Sequence, residues 1–272
     1  MSKPDCNLFC LNNKTALVTG SAEGIGKAIA IGLAKHGANI VLSDINFSAL
    51  DKVREEVQLM GREAWAFQCD NSKPEQIRKM FAEIDQSVGA LDILVNNVGI
   101  IARHKPTEMP IEDWEKVLKI NLTGTFVCSQ EAGKRMIKHA IEGSIINISS
   151  IAGWTALGRG NLVYSVSKSA INQLTRELAV EWAKYNIRVN AILPSQIKTS
   201  YLEHLLSDPS FDSESLRQQI LKGVPLDRIG EPEDLVGPVV FLASKAAAFM
   251  TGVLLPVDGG NLALNAGGSK DW

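Results

Sequence analysis

The chain has 272 residues, 45% of them apolar and 21% charged, with 28 Lys and Arg against 30 Asp and Glu for a formal net charge of −2. That length and apolar content suffice to bury a sizeable core, which excludes dominant disorder, and so even a charge balance gives no electrostatic reason to expect nucleic acid or an anionic membrane as partner. No apolar run reaches the roughly 18 residues that span a bilayer, and the start, Met-Ser-Lys-Pro-Asp-Cys-Asn, lacks the apolar stretch of a signal peptide, so a cytoplasmic protein is expected.

Short apolar runs alternate with longer amphipathic stretches along the whole chain, the pattern of repeated β-α units that build a parallel sheet. Strands are predicted at 15–19, 39–43, 64–68, 93–96, 144–148, 188–192 and 252–257, and helices at 25–35, 47–60, 74–88, 111–138, 164–184 and 232–244. No linker, composition shift or internal repeat divides them. The expectation is one α/β domain over residues 1–272, core about 12–260: a doubly wound, Rossmann-type parallel sheet of seven strands with helices on both faces. Residues 194–225, with Pro209 and several Ser and Asp, break the rhythm and read as a lid-like segment over a site.

Cys6, Cys10, Cys69 and Cys128 are too few and scattered for a disulfide framework, and are read as free thiols. No second Cys or His pair at zinc spacing accompanies Cys6 and Cys10, so no metal is expected. His36 and His139 end helical stretches, where a cation near the C-terminus has a sufficient structural explanation.

The first strand runs into Thr19-Gly20-Ser21-Ala22-Glu23-Gly24-Ile25-Gly26 just before a helix. Glycines there allow a tight turn and close backbone approach, and free N–H groups with the helix dipole favour a pyrophosphate. Alone such a turn is weak evidence. Asp44 closes the second strand 18 residues after Gly26, near the spacing at which an acidic residue meets adenosine ribose hydroxyls, and Asp70 ends the third strand within reach of an adenine edge.

The glycine spacing resembles that of the short-chain dehydrogenase/reductase family, and further motifs fall in that family's order. They are Asn96-Asn97-Val98-Gly99, with Val98 where Ala is common; Asn121; Ser149-Ser150; Tyr164-x3-Lys168; Pro194 with Thr199; and Thr251-Gly252 with Val257-Asp258-Gly259-Gly260. The resemblance covers about residues 12–260. It implies a nicotinamide dinucleotide site built from Gly20, Ser21, Glu23, Gly24, Ile25 and Gly26, then Asp44 and Ile45, then Cys69, Asp70 and Asn71. Asn97, Val98, Gly99, Tyr164, Lys168, Pro194, Ile197 and Thr199 complete it. It also implies a homotetramer, with the helices at 111–138 and 164–184 packing on their symmetry mates and large apolar residues such as Trp114, Leu118, Phe126, Leu174, Leu178 and Trp182 available to do so.

Tyr164 and Lys168 stand four apart on a predicted helix, on one face. A phenol with pKa near 10 is a poor base at neutral pH, and an adjacent ammonium favours the phenolate that alcohol deprotonation needs. Tyr164 is thus the expected acid-base group, with Lys168 tuning it and holding the nicotinamide ribose; Asn121, by the resemblance, holds a water through its backbone and side chain. The family most often has its serine one residue nearer the tyrosine, where this chain has Ile151. Ser150, 14 residues before Tyr164, is read as the hydroxyl donor to the substrate oxygen across a one-residue insertion, with Ser149 as the alternative. Ser195 replaces the family's usual Gly beside Pro194.

The loops expected around the substrate carry Arg103, His104, Trp154, Arg159, Asn161 and Gln196, and Ser150 also faces it. Two arginines with amides suit a hydroxyl-rich or anionic small molecule. The stretches 99–104 and 235–242 are similar to the sugar-acid branch of the family, typified by gluconate 5-dehydrogenase and 2-deoxygluconate 3-dehydrogenase, while 174–183 looks like the tropinone reductases. Glu23 and Ile45 stand where NADP-preferring relatives carry Arg or Lys, and with Asp44 they point to NAD. The alternatives are a 3-oxoacyl-carrier-protein reductase, which would want NADP and a basic docking face, and a non-catalytic dinucleotide sensor, which would not need both Tyr164 and Lys168.

Overall fold

A computed structural model describes residues 8–200, 202 and 212–264. Seven strands, β1 (Thr15–Thr19), β2 (Asn39–Asp44), β3 (Ala64–Gln68), β4 (Ile93–Asn96), β5 (Ser144–Ile148), β6 (Arg188–Pro194) and β7 (Leu254–Val257), form one sheet in the order β3-β2-β1-β4-β5-β6-β7. Every pairing is parallel. The helices are α1 (Gly24–Lys35), α2 (Phe47–Leu59), α3 (Pro74–Ser87), α4 (Ile111–Leu118), α5 (Thr125–Lys138), α6 (Leu162–Trp182), α7 (Ser213–Lys222) and α8 (Val236–Ala243).

Alternation along each strand sends successive side chains to opposite faces. Ala16, Val18, Ile40 and Leu42 join one apolar cluster with residues of α1, α2 and α8, while Leu17, Val41, Leu94 and Ile145 join another with residues of α3 and α5. Helices therefore cover both faces, and β4 and β5 are buried at every residue, which is why the strands read as short unbroken apolar runs. After β3 the chain crosses back over β2 and β1 to place β4 beside β1. The order reverses there, and loops leaving the C-terminal ends of β1 and β4 part to open a crevice.

The elements depart from the sequence pattern where tertiary contacts intervene. The predicted helix at 111–138 is interrupted by a π-helical turn, Lys119–Gly124. Within that turn Asn121 bonds the backbone of Ile100 through both ends of its amide, and Gly124 packs so closely on Asn71 that a Cβ would lie 2.6 Å from the Asn71 carbonyl oxygen. The helix expected at 164–184 starts at Leu162 and tightens into a 3-10 turn, Ala183–Tyr185; that expected at 232–244 opens with a 3-10 turn, Pro232–Leu235, boxed by Glu231 and Asp234. β6 runs two residues further than expected because Leu193 and Pro194 pair with Pro256 and Val257, and β7 starts after Gly252, whose φ of +75° bends the chain away from strand geometry. His36 and His139 are the C-caps of α1 and α5.

Cys69 and Cys128 are free and buried, but Cys10 is disulfide-bonded. The expectation of four free thiols fails there, because compartment and spacing do not decide whether two sulfurs meet; Cys6 lies outside the described residues. So does Pro209. Among the described residues no helix is long and apolar enough to cross a membrane, and no group of three or more His, Cys, Asp or Glu could hold a metal ion.

Candidate active site

A cavity of about 1090 Å³ opens at the C-terminal ends of the strands. One end is formed by the turns after β1, β2 and β3, where Gly20, Glu23, Gly24, Ile25, Asp44, Ile45, Cys69, Asp70 and Asn71 line it. Asn97, Val98 and Gly99 after β4 line its middle with Tyr164 and Lys168 of α6, and Pro194, Ile197 and Thr199 follow from the end of β6. Ser21 and Gly26 lie behind this surface: Ser21 Oγ accepts from Ser43 N at 3.1 Å, tying the turn to β2, and a Cβ on Gly26 would collide with the Gly20 carbonyl.

The β1 turn has the form of an anion cradle. Gly20 and Gly24 take φ of +64° and +54°, Asn97 Nδ2 donates to the Thr19 and Gly20 carbonyls at 3.1 and 3.0 Å, and no side chain caps the N-terminus of α1. Those amides stay available for a ligand, so the residues present fit a dinucleotide pyrophosphate. Asp44 is held at the cavity wall, Oδ2 accepting from Ala22 N at 3.1 Å and Oδ1 from Asn46 N at 3.0 Å. Burial raises the Asp70 carboxyl, but hydrogen bonds from Ser72 and the Lys73 charge outweigh it and hold the group below its ordinary value. Across the cavity, Ser200 Oγ donates to Glu23 at 3.1 Å, joining the glycine-rich turn to the segment after β6.

At the chemistry end, Tyr164 is half-buried; burial pushes its phenol above the ordinary value, and the neighbouring Ser150 hydroxyl pulls the other way. Ser150 Oγ accepts from Ala152 N at 3.1 Å, which leaves its proton to donate. Ser149 is engaged elsewhere, its hydroxyl 2.6 Å from Asn172 Oδ1 and 3.2 Å from the Lys168 carbonyl oxygen. Lys168 is 3% exposed; burial brings its ammonium down to about 8, and Nζ lies 5.6 Å from the centre of the Tyr164 ring while donating to the Ile148 carbonyl at 2.8 Å. A Cβ on Gly99 would stand 3.3 Å from that Nζ and 3.7 Å from Asn121 Oδ1, so glycine leaves room for the two to face one another. Both amide hydrogens of Asn121 already go to protein, to Ile100 O at 2.9 Å and Ser167 Oγ at 3.0 Å.

Arg103, Arg159, Asn161, Ser150 and Gln196 line the remaining end. His104 and Trp154 do not: His104 Nε2 pairs with Asp113 at 2.8 Å, and Trp154 is 55% exposed at the end of a 3-10 turn. Ser195 lines the cavity but turns its hydroxyl to the Asp258 carbonyl at 3.0 Å. The sequence reading missed an apolar wall of Ile100, Ile101, Leu157, Leu202 and Ile220. Its one signal is that residues 194–225 carry apolar side chains among the Ser and Asp, of which Leu202 and Ile220 are buried.

The chain belongs to the short-chain dehydrogenase/reductase family. The family model adh_short_C2, described as enoyl-(acyl carrier protein) reductase, matches residues 20–261. The chain is 38% identical to the 5-keto-D-gluconate 5-reductase of Escherichia coli (strain K12) over 257 residues, 94% of this chain and 98% of that one. It is 42% identical to the 2-dehydro-3-deoxy-D-gluconate 5-dehydrogenase of Bacillus subtilis (strain 168) over 254 residues, 93% of this chain and 96% of that one. Among solved structures it is similar to a gluconate 5-dehydrogenase from Burkholderia cenocepacia J2315 in complex with NADP and tartrate, with TM-score 0.87 and 34% identity, covering 95% of this chain and 98% of that one.

Proposed function

We propose that this member of the short-chain dehydrogenase/reductase family is an NAD-dependent oxidoreductase that interconverts a secondary alcohol and a ketone on a small polyhydroxylated substrate, a sugar or sugar acid. The observation that carries the reading is the Ser150–Tyr164–Lys168 group at the floor of a cavity whose far end is an uncapped helix N-terminus beside Asp44. The sugar-acid names of two relatives at 38% and 42% identity support the substrate class.

When bound, a nicotinamide ring supplies the acceptor or donor of the carbinol hydrogen. Ser150 holds the substrate oxygen with its hydroxyl proton, and Tyr164 takes the hydroxyl proton in oxidation or returns it in reduction. The Lys168 ammonium favours the phenolate that oxidation needs. With the Asn121 side chain committed to Ile100 and Ser167, its role in holding a water falls to its backbone in the widened π-helical turn.

NAD is preferred over NADP on the strength of Asp44 and Glu23, both lining the dinucleotide end. A 2′-phosphate would meet these carboxylates without a compensating cation at Glu23 or Ile45. The same reading has the chain, one domain throughout, working as a cytoplasmic homotetramer. Phe126 of α5 and Leu162, Val166 and Val180 of α6 are exposed on the helices that would pair, and sedimentation at micromolar concentration checks it.

The testing experiment is a screen of sugars, sugar acids and their keto forms with NAD and NADP, read by reduced-nicotinamide absorbance, with an acetoacetyl thioester as a further arm. Turnover of a sugar or sugar acid with NAD is expected. Turnover of the thioester alone, with NADP, would move the chain to the carrier-protein reductases, and no turnover at all would defeat the proposal.

A further inference from the structure

We propose that Arg103 and Arg159 form a two-armed clamp for a tetrahedral oxyanion, a sulfonate or phosphate monoester, carried by the substrate at the end remote from its reacting carbon. The proposal rests on the reading of this cavity as a polyhydroxy-substrate site and adds the anionic group that the site selects.

The clamp is built by the backbone. His104 N donates to the Gly160 carbonyl at 2.9 Å, stitching the loop after β4 to the loop after β5, and Gly160, at φ +72°, gives the second loop the left-handed turn it takes there. Arg103 and Arg159 are the residues immediately before this bonded pair, so the two side chains start from neighbouring points on different loops, and both line the cavity. The His104–Asp113 pair anchors the first loop to the first turn of α4. His104 therefore acts as a strut for Arg103.

Charge is segregated along the cavity. Its acidic lining residues among those described are Glu23 after β1, Asp44 at the end of β2 and Asp70 after β3, whereas its arginines stand on the loops after β4 and β5. Burial and the neighbouring Arg103 charge both disfavour the charged form of Arg159, a mutual repulsion that a bound anion relieves. Geometry selects the anion. A planar carboxylate offers two oxygens and is matched by a single guanidinium fork, while a tetrahedral group offers three oxygens in a tripod, so two forks can each take a pair and share only one. A hydroxyl in the same place gains little over water.

Four hexoses differing only at C6, which bears hydroxyl, carboxylate, sulfonate or phosphate, separate these cases. Calorimetric Kd values are measured with NADH present, where an alcohol binds but cannot be oxidised, and steady-state oxidation with NAD is run in parallel. The sulfonate and phosphate sugars are expected to bind about tenfold more tightly than the carboxylate and about 100-fold more tightly than the hydroxyl. Arg159→Gln and Arg103→Gln should each remove the step between carboxylate and tetrahedral groups, and Arg159→Lys, which keeps charge but not the fork, should not restore it. A carboxylate sugar that binds as tightly as the sulfonate, or an order that survives Arg159→Gln, overturns the clamp. Oxidation of the hydroxyl or carboxylate sugar without any gain for tetrahedral groups would refute the clamp and leave the proposed function standing; the expected binding order without oxidation in any arm would do the reverse.

Discussion

The Ser149 hydroxyl lies 2.6 Å from Asn172 Oδ1, whereas that of its neighbour Ser150 acts on the Tyr164 phenol, favouring the phenolate against the upward push of burial. In the proposed mechanism the two adjacent hydroxyls have separate duties, Ser150 facing the reacting oxygen and Ser149 fastening the end of β5 to α6. Ser150→Ala removes a donor whose bond strengthens as charge develops on the substrate oxygen, and should cost about 100–1,000-fold in kcat. Ser149→Ala leaves a buried amide oxygen short of a donor and should instead lower stability by about 1–3 kcal/mol with a much smaller change in rate. Steady-state kinetics and thermal melts of the two variants check this, and reversed effects would assign the chemistry to Ser149.

The titration of the catalytic group has a definite sign. Burial keeps Tyr164 protonated to higher pH than a free phenol, and brings Lys168 down to about 8. Oxidation needs the phenolate, so its kcat/KM should climb with pH, and the climb should flatten above about 8 as the ammonium that favours the phenolate is lost. Reduction uses the neutral phenol, which burial keeps populated, and should stay level over the same range. In Lys168→Ala the ascending limb should move to higher pH and dinucleotide affinity should weaken. Paired pH profiles in both directions test this; a flat oxidation profile would remove Tyr164 as the titrating group.

How much of this was legible in the chain follows from where each contact lies. β4 and β5 are covered on both faces, so their position is written in mostly apolar runs, Ile-Leu-Val-Asn and Ser-Ile-Ile-Asn-Ile, rather than in an alternating pattern. The Lys119–Gly124 turn carries no local mark, because its sequence fits an ordinary helix and the Asn121–Ile100 bonds that accompany the widening span 21 residues. Spacing alone left Ser149 and Ser150 as alternatives; the partners of each hydroxyl are tertiary. Arg103 and Arg159 could be named from their loops, but not that His104 would turn to Asp113 or that Trp154 would remain at the surface. The apolar wall is assembled from separate segments, Ile100, Ile101 and Leu157 on loops and Leu202 and Ile220 on helical pieces, so no single stretch has a period that shows it.

Cofactor choice centres on Asp44. Its carboxylate accepts from Ala22 N and Asn46 N, so Asp44→Ala both removes the charge that a 2′-phosphate would meet and loosens the glycine-rich turn. The parent enzyme should favour NAD over NADP by about tenfold or more in kcat/KM, on the order of the 1.4 kcal/mol that one unfavourable charge contact costs. Asp44→Ala should lower efficiency with NAD and narrow the ratio, and Asp44→Ala with Ile45→Arg should invert it. A ratio that does not move on substitution would reduce Asp44 to a cap on the following turn.

In the proposed mechanism Tyr164 transfers the proton, and the kcat of Tyr164→Phe with the best substrate of the screen reads that transfer alone. The ring stays packed and only the oxygen is lost. Turnover should fall by about 100–10,000-fold, the range of general acid-base catalysis, with the melting temperature and the Kd for NAD close to those of the parent. Turnover within about tenfold of the parent, below the smallest effect such catalysis gives, would contradict the account.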